Sequence, residues 1–184
     1  MKRAAVIVVA LLALAAPIAY ATSVPDRDDV TTRFDIAKAA GAHNRVSDEL
    51  VHTIDFYEAI PHRLPKSGPP DSVCVVIWTR SAPKESPPDY EACATPAKGG
   101  TWKGSIARKR ERGPQLRLGR VKVEQPSDTR LVLRIDPDDI KRPASYRWRT
   151  EATSFGSDCK SSIGCPDYAP DRPDTAETPL SKPR

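Results

Sequence analysis

The feature that most restricts this chain is a hydrophobic period of two, carried in short runs and broken by proline and glycine. In Leu50-Val51-His52-Thr53-Ile54-Asp55-Phe56-Tyr57, one side takes Leu50, His52, Ile54 and Phe56 while Thr53 and Asp55 look the other way. Side chains alternate across a strand, so this pattern makes a half-buried β-strand and would scatter around a helix. Trp102, Gly104 and Ile106 repeat it, as do Leu131, Leu133 and Ile135 around Arg134. Tyr146 and Trp148 fall opposite Arg147 and Arg149 in the same way. Val73-Cys74-Val75-Val76-Ile77-Trp78 is apolar on both sides, as a central strand covered on both faces must be. Tyr90 to Ala94 follows a proline-rich loop and is expected to pair back beside it. Leu116 and Leu118 alternate with Arg117, and the phase then flips to Val121 and Val123, which predicts a bulge or kink at Gly119.

Turn signals separate these runs: Pro61 to Pro70, Gly99-Gly100, Gly113-Pro114, Pro126-Ser127-Asp128 and Asp136-Pro137. Many short strands with such punctuation predict an all-β fold, an antiparallel β-sandwich of immunoglobulin-like or jelly-roll type. Helical signals are thin. Asp136-Pro137-Asp138-Asp139-Ile140 reads as one helical turn, with Asp136 as cap and Pro137 at the first position.

The first 21 residues read as a secretory signal peptide, expected as a helix preceding the sandwich. Lys2 and Arg3 form the basic start, Ala4 to Ile18 the apolar run, and Ala19-Tyr20-Ala21 a small-x-small cleavage site before Thr22. That run is shorter than the roughly 20 residues that span a bilayer, and no transmembrane segment is expected in the mature chain. No cysteine stands at the expected cut, which argues against lipid anchoring. The sandwich is expected over 22–165. The tail, 166–184, has five prolines and almost no apolar content, and is expected to be disordered.

Export also explains the cysteines. An even count of four in a secreted chain predicts disulfides, and four cysteines allow three connectivities. Pairing of the two adjacent strands predicts Cys74–Cys93, and the short Ser/Gly loop predicts Cys159–Cys165. Zinc favours closer CxxC-type spacing.

Two segments resemble known proteins. Leu131 to Pro137 and Tyr146 to Arg149 look like the end of a fibronectin-III or immunoglobulin-like sandwich, which would make Tyr146 the anchor of a tyrosine corner. More broadly, the chain resembles small exported β-sandwich proteins of unknown function from high-GC Gram-positive bacteria. The resemblance rests on Asp26-Arg27-Asp28-Asp29-Val30 with Asp35-Ile36 as an Asp-rich opening strand, on Cys159 to Cys165, and on Ala169-Pro170-Asp171. Thr31-Thr32-Arg33-Phe34 departs from the Gly-Pro-Leu turn commoner there. The resemblance implies no activity.

Charge is distributed unevenly. Residues 98–149 carry 15 basic against 6 acidic side chains, while 22–97 and 150–184 are net acidic. The run Arg108-Lys109-Arg110-Glu111-Arg112 ends at Gly113-Pro114, so Arg108, Lys109, Arg110 and Arg112 are the candidate binding residues for an anionic envelope polymer or a partner protein. The secreted compartment argues against nucleic acid as their partner. Solvated charges guarding a sheet edge are the plain alternative. Asp26, Asp28 and Asp29 before the first strand, with Asp167 and Asp171 near the end, are the candidate ligands for calcium, the one cofactor considered. Aspartates at strand ends also serve simply as turn formers. Trp78, Trp102 and Trp148 would be sugar platforms if exposed, but each sits in an alternating apolar series that predicts burial. His43, His52 and His62 fall in no HExxH motif, and no G-x-S-x-G elbow is present. The reading is a non-catalytic secreted module, with a calcium-dependent carbohydrate-binding module and then a small hydrolase as alternatives.

Overall fold

The computed structural model describes residues 21–60, 69–80, 86–110, 113–155 and 159–180. Its strands are β1 (Ala21–Pro25), β2 (Ile36–Asn44), β3 (Glu49–Phe56), β4 (Ser72–Trp78), β5 (Tyr90–Ala97) and β6 (Thr101–Arg108). They continue as β7 (Leu116–Gly119), β8 (Lys122–Ser127), β9 (Arg130–Ile135), β10 (Ser145–Ser154), β11 (Cys165–Ala169) and β12 (Ala176–Pro179). One sheet runs β1-β2-β3-β9-β8, the other β11-β10-β4-β5-β6-β7 with β12 also on β10. Every pairing is antiparallel. The expected all-β sandwich is present, and the signal-peptide helix lies outside the described residues.

The period-two runs do what alternation requires. β3 buries Leu50, His52, Ile54 and Phe56 against Leu131, Leu133 and Ile135 of β9. From the other sheet come Val73, Val75 and Ile77 of β4, Ala92 and Ala94 of β5, and Ile106 of β6. Burying a side chain of this size contributes about 1.5–3 kcal/mol, so these layers carry most of the fold.

At the centre, the Tyr146 hydroxyl hydrogen-bonds His52 Nε2 at 2.9 Å, joining β10 to β3 across the sandwich. Complete burial pushes the His52 imidazole down to about 3, so it is neutral in the folded chain. Trp148 Nε1 donates to Thr178 Oγ1 at 2.9 Å, and that hydroxyl donates to the Gly41 carbonyl at 3.3 Å. A Cβ on Gly41 would stand 2.8 Å from Trp148 Nε1, so β2 needs glycine there. Tyr146 therefore anchors to a histidine in the facing sheet, and the expected tyrosine corner, a bond to nearby upstream backbone, is replaced.

Three further expectations are corrected. The tail does not stay disordered over 166–180: β11 and β12 lie in line along one edge of β10. Small or polar inward residues, Asp167, Ala169, Ala176 and Thr178, suffice there because β10 supplies the bulk. The sandwich accordingly extends past residue 165. Second, Asp26 to Asp35 is the connection between β1 and β2 and makes no opening strand. It is closed by Asp26 N–H to the Ala37 carbonyl and Asp35 N–H to the Thr32 carbonyl. Third, Leu116 and Leu118 do not face the core; they are 41% and 37% exposed on edge strand β7. The irregularity expected at Gly119 is present, as a shift in the β6–β7 register that pairs Ile106 with Gly119 and Ala107 with Arg117. The chain then crosses between sheets, since β7 and β8 belong to different ones. That crossing passes so close over β6 that a Cβ on Gly104 would meet the Val121 carbonyl oxygen at 2.1 Å.

The predicted turn is a short 3-10 helix, Pro137–Ile140, whose cap Asp136 accepts from Asp138 N–H. Both disulfides form as expected, Cys74–Cys93 between β4 and β5 and Cys159–Cys165 across the loop before β11.

Candidate functional site

The outer face of the seven-stranded sheet holds a cleft of about 620 Å³. Its floor is Val76 and Trp78, the outward side of β4, where even the outward residues are 2% and 3% exposed. Something must cover an apolar outer face, and here arginine does so. Arg149, only 6% exposed, places its guanidinium 5.4 Å from the Trp78 ring and 5.4 Å from the Tyr168 ring. Arg172 stacks on the other aromatic, 4.5 Å from the Tyr168 ring. Trp78 Nε1 donates to the Ser86 carbonyl at 2.7 Å, which fastens the Pro87-Pro88 wall. Lys109 and Arg110 close the far side.

Four cations and two carboxylates line this cleft. Most of the cations have partners: Lys109 Nζ lies 2.7 Å from Glu91, Arg149 lies 2.7 Å from Glu151, and Arg172 lies 3.7 Å from the same Glu151 oxygen. Arg110 is exposed at the rim. The result is an apolar floor under a net positive rim.

A second hollow, of about 590 Å³, opens between the β1–β2 connection and the segment after β3, lined by Asp28, Asp29, Thr32, Asp35, Tyr57 and Glu58. Carboxylate oxygens of Asp29, Asp35 and Asp167 lie within 4.8 Å of one another there. Asp167 comes from the inward face of β11. Its Oδ2 accepts from Ile36 N–H at 2.6 Å and its Oδ1 from Tyr168 N–H at 2.7 Å, so its direction is fixed by both sheets. Burial first, and Asp167 next, push the Asp26 carboxyl up to about 7 and the Asp35 carboxyl up to about 6. Burial likewise raises Asp167, with Asp29 and Asp171 adding to it. The Tyr57 phenol donates to the Asp26 carbonyl at 2.8 Å and is held above its ordinary range by burial and then by Asp28.

The candidate residues thus divide. Lys109 and Arg110 reach the cleft, whereas Arg108 shares the strand face of Gly104 and Ile106, and Arg112 lies outside the described residues. Asp26, Asp29, Asp167 and Asp171 converge electrostatically, and Asp28 bonds to Asp35. Sequence reasoning missed Asp35; its signal was a carboxylate set between Phe34 and Ile36, both fully buried. It also missed Arg149, Arg172 and Trp78 as a cluster, although a strand apolar on both faces demands a cover. Trp148 is buried, Trp78 is 3% exposed with Arg147 and Arg149 over its ring, and Trp102 is half-buried against the core and donates to Gln125 at 2.6 Å. His43 is buried 3.0 Å from Asp48, itself gripped by Arg142, and His52 is sealed in the core; His62 lies outside the described residues. Cys74 and Cys93 also lie near Glu91, but their sulfurs bond each other and offer no metal thiolate.

Compared with known proteins, the chain matches no protein-family model, no curated protein and no solved structure.

Proposed function

We propose that the chain is a secreted, non-catalytic module that holds an anionic ligand, such as a segment of an acidic envelope polymer, in the cleft over Trp78. One observation carries the reading: Lys109, Arg110, Arg149 and Arg172 outnumber Glu91 and Glu151 around an apolar floor. A carboxylate or phosphate group would find the fork of a prepositioned guanidinium, and an apolar or planar neighbour would find Val76 and proline. Arg149 is held between two rings, so little side-chain entropy is lost on binding.

The strand order supports an immunoglobulin-like reading of the sandwich. Taking β2, β3, β9 and β8 as A, B, E and D, and β11, β10 and β4 as G, F and C, reproduces that arrangement, with β1, β5, β6, β7 and β12 as added strands. The cleft then occupies the outer face of the G-F-C sheet. Export is supported by the signal-like start and by two disulfides. Among the described residues, no helix is long and apolar enough to cross a membrane. A cut before Thr22 would trim Ala21 from β1 and leave the rest paired with β2.

The test is retention of the disulfide-bonded chain on immobilised polyphosphate, on polygalacturonate and on neutral dextran. Retention on one or both polyanions, none on dextran, and a loss of about tenfold or more in affinity in Lys109→Ser/Arg110→Ser are expected. Equal retention of that variant and the wild type would place binding elsewhere.

A further inference from the structure

The acidic hollow is a different case from the cleft, and its argument is independent of the anion-binding reading. Around a calcium ion, oxygens sit at about 2.3–2.6 Å, so two of them are at most about 4.6–5.2 Å apart. The carboxylates of Asp29, Asp35 and Asp167 meet that condition, all within 4.8 Å of one another. Magnesium, at about 2.0–2.1 Å, would need tighter convergence and near-ideal octahedral geometry. The hollow, at about 590 Å³, leaves room for water to complete a calcium shell.

Proximity of acids alone would mean little. A second feature points to a ligand: Asp35 is only 3% exposed, and its Oδ1 is buried with no hydrogen-bond partner. Thr32 Oγ1, 5% exposed on the residue scale and on the same hollow, is in the same state, as is Asp26 Oδ2 beside it. A buried polar atom without a partner costs on the order of 1–3 kcal/mol, and native folds rarely leave several together. The leading charges acting on Asp26, Asp35 and Asp167 are other aspartates, which raise their proton affinity. Meanwhile Asp167 is oriented by two backbone N–H groups, as a metal-ligating carboxylate is.

We propose that Asp29, Asp35 and Asp167 bind one calcium ion, with Asp26 beside it, and that the ion clasps the β1–β2 connection to β11. The charge count fits a hard divalent cation with oxygen ligands, and the clasp joins the edge of one sheet to the edge of the other. Its binding supplies the counter-charge and the oxygen partner that these converging, partly buried carboxylates lack among themselves.

The experiment uses the full disulfide-bonded chain, stripped with a chelator and titrated with CaCl₂ near neutral pH by calorimetry and thermal melting. One saturable site is expected, and a rise of about 5–10 °C in Tm when calcium stands about a hundredfold above Kd. Asp29→Asn, at an exposed position, is expected to lose about tenfold or more in affinity while keeping the metal-free Tm. Asp35→Asn is expected to abolish the calcium shift and yet melt above the metal-free wild type. The proposal is overturned by a wild-type chain with no calcium heat and no Tm shift, or by both variants binding as the wild type does. An equal shift from MgCl₂ at the same concentration would overturn the calcium assignment.

Discussion

The cleft over Trp78 and the acidic hollow are alike in size and opposite in how their charges are settled. In the cleft, Glu91 and Glu151 sit within 2.7–3.7 Å of Lys109, Arg149 and Arg172, and aromatic rings take up the guanidinium faces. In the hollow, carboxylates face one another, and burial and repulsion raise their proton affinity. The difference is instructive because the sequence makes the basic run look like the unsatisfied feature. Cations already matched by nearby carboxylates and rings offer a ligand only modest gain. A buried cluster of one sign is the arrangement that needs a counter-charge.

The largest effect should come from cutting beneath the cleft. Replacing both Cys74 and Cys93 with Ala removes a bridge spanning 19 residues and should cost about 2–4 kcal/mol in urea unfolding. Calcium affinity of the refolded variant should be unchanged, because the bridge lies between β4 and β5, away from the hollow. A matching loss of calcium affinity would mean the two regions are not independent.

Next comes Asp35→Asn in metal-free protein. The Asp35 carboxyl is raised from 3.8 to about 6 in the fold, so the folded state binds the proton more tightly. The wild type therefore loses stability as pH rises from 3.8 through about 6, and the amide does not. Near neutral pH the variant should be more stable by on the order of 1–3 kcal/mol, an advantage that vanishes below the unfolded value. His52 adds a trend of opposite sign to both chains, since its pKa falls from 6.5 to about 3: stability present above 6.5 is lost on acidification toward 3. Only the difference between variant and wild type isolates the hollow. A constant difference across the pH scan would show that the Asp35 charge is already compensated.

The smallest effect belongs to Glu151→Gln, which frees Arg149 and Arg172 from a shared carboxylate. Polyphosphate affinity should rise a few-fold, within about 1 kcal/mol, with no change in calcium binding. A fall in affinity would show that Glu151 orients the guanidinium more than it competes with the ligand.

Much of the sandwich was legible because large side chains announce alternation. Leu50 to Phe56, Leu131 to Ile135 and Tyr146 to Trp148 carry enough apolar bulk to fix which face is inward. β2 was not legible, because after Ile36 its inward positions are Ala39, Gly41 and His43, small or polar residues, with Gly41 lying against Trp148 from the opposite sheet. β11 and β12 were hidden for a related reason: an edge strand on β10 needs backbone pairing more than hydrophobic content, and prolines at 166, 170, 173 and 179 masked it. The aspartates near the two ends of the chain could be grouped by expecting those ends to approach. Asp35 could not, since nothing in its spacing shows that Asp167 lies across from it.

The central claim, that the acidic hollow binds a cation, is tested most directly by counting protons. Calcium is titrated into the metal-free chain in two buffers of different ionisation enthalpy, at several pH values spanning those to which Asp35 and Asp26 are raised, about 6 and about 7. The account predicts binding heats that differ between buffers, with proton release growing as pH falls toward 6. Identical heats in both buffers, or no heat at all, would contradict it.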